Sequence, residues 1–238
     1  MPFPLAHPVA VLPLKRYCPK HLNFAALVAG SIAPDLSYIF GPLGVSDVAH
    51  TMIGGMAFGV IAGLAMLGGF YAISPFVLAK APEGLRCVLR PLCCPWDNRL
   101  GIVILSLAIG ACSHVLLDSF THTSGWFVQH LPALRAPLFP IHDRTIKVCH
   151  VMWYACSFIG VAVLFLALRN AQASEARPAT HPVRKSHLFE AFVVAMLLVP
   201  IELFHHVVRS RLGLAMVAAA SLVLVLFVLT KLAAPVRN

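Results

Sequence analysis

Five predominantly apolar runs, at 51–79, 100–120, 148–168, 189–208 and 212–233, limit what this chain can fold into. Each is long enough to matter, because ~20 helical residues cross the ~30 Å hydrocarbon core of a bilayer. A helix closes its backbone hydrogen bonds within the segment, which makes it the economical way to cross lipid. Charged residues make up only 11% of the 238, where a soluble domain carries roughly 25%. The expectation is an all-α integral membrane protein: an N-terminal helical hairpin plus about five transmembrane helices in one bundle, a single membrane domain over residues 1–238.

The hairpin is read from the region before the first run. Residues 3–14 form a short apolar arm interrupted by Pro4, Pro8 and Pro13, and residues 22–40 form a longer one. The tip between them, KRYCPKH, is basic. As an α-helix the 12-residue arm would reach only ~18 Å, so it is expected to be re-entrant, with its backbone buried against protein. The start is not a cleavable signal peptide, since its basic residues follow the apolar stretch and no small-residue cleavage site closes it. Seven cysteines, without a CxxC pair, read as free thiols.

Orientation follows from the basic residues. With the hairpin tip in the cytoplasm, Lys and Arg at 15, 16, 20, 80, 86, 90, 99, 169, 177, 184, 185, 231 and 237 lie inside, and those at 135, 144, 147, 209 and 211 lie outside. That asymmetry obeys the positive-inside rule and puts the C-terminus in the cytoplasm. The same scatter over short loops uses up the net charge of +9 and argues against nucleic acid as a partner.

This topology gathers polar residues on one membrane face. His7, Asp35, His50, His114, Asp118, His122 and His150 come from separate segments, yet all fall at the outer side. His114 and Asp118 are four apart, so a helix presents them together. A mixed His/Asp set suits zinc or another divalent first-row metal, and ionisable groups at membrane depth usually serve function. Each residue also has an ordinary reading. His7, Asp35 and His50 could cap or turn the chain, His114 and Asp118 could form a buried hydrogen bond, and His122 and His150 could be interfacial. Glu202, His205 and His206 read as a snorkelling helix end, and His142, Asp143 and Arg144 as a solvated loop, with Arg144 or Lys147 the candidates for binding an anionic phosphate.

Four stretches, MPFPLAHPVAVLPL, ALVAGSIAPDLSYIF, GACSHVLLDSFTHTSGWFVQHLP and the region around His150, resemble a bacterial membrane-protein family known as domain of unknown function 4184. That likeness covers roughly residues 1–165, the expected metal-site core; residues 166–238 hold a cytoplasmic loop and two spans. More distantly, the order His, Pro-Asp, His, His-x-x-x-Asp, His is similar to the predicted membrane-bound metal-dependent hydrolases and the zinc-dependent phospholipases C. By that resemblance Asp35, His50, His114 and Asp118 would hold one zinc, and Asp118 would bridge to a second ion also bound by His7. His122 with His150 would hold a third. The sequence departs from the soluble enzymes at Tyr154, where they carry a glutamate, and lacks their amino-terminal ligand.

These readings converge on a membrane-embedded metal-dependent hydrolase at the extracytoplasmic interface of the cytoplasmic membrane, acting on a phosphoester such as a lipid headgroup. Asp35 or Asp118 would serve as catalytic carboxylate. The alternatives are a metal- or proton-coupled transporter, which would spread ionisable residues through the membrane, and a non-catalytic membrane protein with a structural metal site.

Overall fold

Proline decides how the chain begins. A computed structural model describes residues 4–18, 20–80, 86, 90, 99–141 and 144–175, and its first element is a 3₁₀-helix at Pro4–Tyr17. Pro8 and Pro13 inside it lack an N–H and clash with the carbonyl four residues back, so an α ladder cannot settle. The tighter winding rises ~2.0 Å per residue, giving this arm a reach of about 28 Å. The expectation of an ~18 Å α-helical arm is corrected accordingly: the segment is nearly as long as the hydrocarbon core is thick.

Helix α1, Phe24–Ile32, is started by Asn23, whose side chain accepts from the Ala26 N–H at 2.9 Å. A second 3₁₀ segment, Ala33–Leu43, follows directly. Pro34 sits at this junction and cannot extend the α pattern. A short helix, α2 (Val45–Ala49), leads into the long helices α3 (Met52–Lys80) and α4 (Leu100–Thr121). Beyond them come two short helices, α5 (Trp126–His130) and α6 (Pro132–Arg135), the strands β1 (Pro137–Ile141) and β2 (Arg144–Lys147), and the long helix α7 (Val148–Glu175).

Three helices among the described residues are long and apolar enough to cross a membrane, beginning at Met52, Leu100 and Val148. They coincide with the first three expected spans. The remaining two, at 189–208 and 212–233, lie outside the described residues, as do Glu202, His205, His206, His142 and Asp143. The all-α expectation needs one correction. The stretch read as a solvated loop at 141–147 belongs instead to an antiparallel hairpin in which Ile141 pairs with Arg144 and Pro140 with Thr145. Pro137 and Pro140 bar a helix there, and a two-stranded ribbon has a free edge on which prolines cost no ladder bond.

Helix α4 organises the rest. Its buried face carries Val103, Leu107, Gly110, Ala111, His114, Val115, Asp118 and Thr121. Along α3, Gly55, Gly59 and Gly63 meet Val115, Ala111 and Leu107, one contact per helical turn. Helix α1 comes closer still: a Cβ on Gly30 would run into the Leu107 carbonyl, and one on Gly110 into the Leu27 carbonyl. Such small-residue seams let membrane helices approach backbone to backbone. The Asn23 N–H also donates to Ser106 Oγ at 2.8 Å, pinning the start of α1 to α4. On the far side Gly160 of α7 admits Ala6, the neighbour of His7.

The seam yields a prediction. Gly30→Ala is expected to cost about 1–3 kcal/mol, the usual penalty of overpacking, because backbone must move to admit the methyl. The thermal midpoint in detergent should fall, whereas Gly68→Ala, with nothing within 4 Å of its Cβ, should leave it unchanged.

Candidate metal centre

The helix break at Pro34 prepares the site. Having no N–H, Pro34 leaves the Ser31 carbonyl without a donor three residues on, and His114 Nδ1 donates to that oxygen at 2.8 Å. His50 is set the same way, its Nδ1 donating to the Ser46 carbonyl of α2 at 2.7 Å. A carbonyl only accepts, so both rings carry their proton on Nδ1. Each thereby aims its Nε2 towards the interior, the arrangement by which an outer partner orients a metal-ligating histidine.

Four atoms meet at that point. His114 Nε2 lies 3.3 Å from Asp35 Oδ1 and 3.4 Å from Asp118 Oδ2. His50 Nε2 lies 3.7 Å from Asp35 Oδ1 and 3.8 Å from Asp118 Oδ2. None is a hydrogen bond, which would bring nitrogen and oxygen to about 2.7–3.2 Å. Zinc bonds of about 2.0–2.2 Å in a tetrahedron, however, set ligands about 3.3–3.6 Å apart.

The other carboxylate oxygen of Asp118 faces a second place. Its Oδ1 lies 3.9 Å from His7 Nε2 and 3.7 Å from His122 Nδ1. The His7 ring stacks on His114 at 3.8 Å between centroids. His7 is buried, and burial favours the neutral imidazole, the form that ligates metals. Among the described residues two groups could hold a metal ion, each with donor atoms within 4.8 Å of one another: His7, His114 and Asp118, and Asp35, His50 and His114.

Burial makes the arrangement costly on its own. His7 and His114 are wholly buried, Asp35 is 2% and Asp118 6% exposed. Both nitrogens of His7, both oxygens of Asp35 and Asp118, and Nε2 of His50 and His114 have no hydrogen-bond partner. An unsatisfied buried polar atom costs roughly 1–3 kcal/mol, more if charged. Only the His50 and His122 side chains, at 18% and 28% exposure, open to the surroundings.

Five of the seven expected ligands thus come together, and His122 stands at their rim. Its Nδ1 is also 3.2 Å from the Asp118 carbonyl and 3.3 Å from Thr121 Oγ1. His150 belongs to neither group: its Nδ1 accepts from the Lys147 N–H at 3.2 Å, reaching back to the residue before α7 as a capping side chain does. Arg144 and Lys147 lie on β2; the Arg144 side chain is outside what is described. Sequence reasoning did not find Ser31 and Ser46, whose role is carried by backbone carbonyls. Nor did it find Tyr38, whose ring lies 5.0 Å from His50. Tyr38 follows Asp35 by three residues, and in a 3₁₀ segment such residues eclipse; that signal is readable only once the winding is known.

The model of a family described as a domain of unknown function, DUF4184, matches residues 1–234. The match continues past the first 165 residues through both expected C-terminal spans. No curated protein and no solved structure matches the chain.

Proposed function

The chain belongs to the DUF4184 family of unknown function, and from its own site we propose that it is a membrane-embedded, metal-dependent phosphoester hydrolase. The supporting observation is the set of buried, unpartnered donor atoms spaced as the ligands of a metal are spaced. Asp35, His50, His114 and Asp118 Oδ2 would hold one divalent cation, and His7 with Asp118 Oδ1 a second, His122 standing on its open side. Zinc suits these nitrogen and oxygen donors. Bound there, a divalent cation neutralises charge on a phosphoryl oxygen and acidifies water.

The protein's own groups supply the rest. Both oxygens of Asp118 face imidazole nitrogens, whereas Asp35 faces them through Oδ1 alone, so Asp35 Oδ2 is the carboxylate oxygen proposed to take a proton from attacking water. The phosphorus–oxygen ester bond breaks as water adds, and the departing alkoxide takes up the proton. The ester would enter past His50 and His122, the more open side chains of the site, and Arg144 and Lys147 are the cations proposed for its remaining phosphate charge. The basic-residue asymmetry supports an outer-face position for this site in a cytoplasmic membrane, with the C-terminus inside.

A structural metal is the second reading for the first position alone, because four protein donors leave a tetrahedral ion no open place. One experiment separates the readings: metal content by plasma mass spectrometry, beside hydrolysis of bis(p-nitrophenyl) phosphate, for wild type, His114→Ala and Asp35→Asn. The proposal expects bound metal and turnover in wild type and loss of both in the variants. Metal without turnover favours the structural reading, and equal metal in all three proteins ends both.

A further inference from the structure

The depth of the site and the character of the chain beside it point to where its substrate comes from. Helix α4 has 22 residues and a length of about 33 Å. Counted back from Thr121, Asp118 lies about 5 Å and His114 about 10 Å along the axis. A bilayer's ~30 Å core is flanked on each side by a headgroup layer of about 5–7 Å. With this helix laid across a ~30 Å core, the donor atoms therefore stand about 3–9 Å inside the core's edge, just beneath the lipid phosphates and glycerols.

The connection from α4 to α7 leaves and re-enters the bilayer at this same face. It should be polar if it merely crossed water. Instead Trp126 is 61%, Leu131 46%, Leu138 51% and Phe139 49% exposed. Tryptophan and other aromatic residues concentrate at the membrane–water boundary, where an apolar ring meets headgroups. The apolar surface is joined to the site through ring contacts: Phe127 stacks on Phe120 at 4.0 Å, His130 stacks on Trp126 at 4.2 Å, and Phe120 lies between Asp118 and His122 in sequence. Arg135, Arg144 and Lys147 against the single acid Asp143 give the connection a charge complementary to anionic headgroups.

We propose that residues 126–141 form an interfacial platform seated in the headgroup layer, and that what covers it is phospholipid, which enters the site sideways from the bilayer. The platform stands on exposure and topology alone; its role in delivering substrate rests on the hydrolase reading above. The natural ester is then a membrane phospholipid, not a soluble phosphodiester.

The test has two arms. First, a Trp96→Phe/Trp153→Phe protein, keeping Trp126 as its one tryptophan, is reconstituted in vesicles of phosphatidylcholine and phosphatidylglycerol. Lipids brominated near the top of the acyl chain should quench Trp126 strongly, and aqueous iodide weakly; strong iodide quenching without bromine quenching overturns the platform. Second, Leu138→Asp/Phe139→Asp should lower hydrolysis of vesicle phospholipid severalfold and leave bis(p-nitrophenyl) phosphate unchanged. Should this variant fail to fold, Trp126→Ala serves, judged by the same ratio of the two activities. Wild type that cleaves the soluble ester and spares every vesicle lipid overturns lipid delivery. Wild type that cleaves neither overturns the hydrolase reading, and the quenching arm then decides the platform by itself.

Discussion

Asparagine at position 118 is expected to strip the protein of both metal equivalents, where His7→Ala removes only one. The difference follows from how the two carboxylate oxygens are divided. Oδ2 faces His50 and His114, and Oδ1 faces His7. A carboxylate can bridge two cations because both oxygens share its charge. An asparagine amide retains one oxygen and no charge, and its NH₂ can only donate. His7 touches the second position alone, so its loss should leave the Asp35, His50, His114 and Asp118 group intact. Plasma mass spectrometry of detergent-purified protein, normalised to amino-acid analysis, reads the stoichiometry directly. Asp118→Asn with a full wild-type complement of metal would mean that this carboxylate is no ligand. His7→Ala with none would mean a single mixed site in place of two.

What the sequence made legible, and what it did not, divides along the range of the interactions. His114 and Asp118 were readable together because a four-residue step is a property of any α-helix. His7, Asp35 and His50 were expected near them from the topology, since positive-inside counting assigned their ends of the segments to one face. The spans starting at Met52, Leu100 and Val148 were readable because hydrophobic length is a local quantity. The short arm was misjudged, because its reach was counted at the α rise although Pro8 and Pro13 bar an α ladder and leave the longer 3₁₀ winding. The hairpin at Pro137–Lys147 was missed since its strands are too short to show a period. His150 looked like a ligand and caps a helix, a distinction that rests on a single backbone N–H. Of the six glycines in the first span, only the register of α3 against α4 says that Gly55, Gly59 and Gly63 form the seam and that Gly68 and Gly69 do not.

Removing metal from the wild-type protein should destabilise it more than removing the charges that hold the metal. With the site stripped by chelation, Asp35 and Asp118 remain buried, at 2% and 6% exposure, their carboxylate oxygens have no hydrogen-bond partner, and the nearest imidazole nitrogen stands 3.3 Å away. A buried charge without its partner costs about 3–5 kcal/mol. For chains of this size each kcal/mol moves the midpoint by about 2–4 °C, so chelation should lower it by on the order of 10 °C. In Asp35→Asn/Asp118→Asn the same volume is filled by neutral amides, which have NH₂ donors for the facing imidazoles. This variant should bind no metal, melt below the metal-loaded wild type, melt above the stripped wild type, and ignore chelator. Thermal unfolding in detergent, with and without EDTA, places the three states in order. A wild-type midpoint indifferent to EDTA would say that nothing sits between the two carboxylates. A double variant no more stable than stripped wild type would say that their charge was never the burden. The predicted order, loaded above neutralised above stripped, requires both that the charges be buried and that a cation balance them.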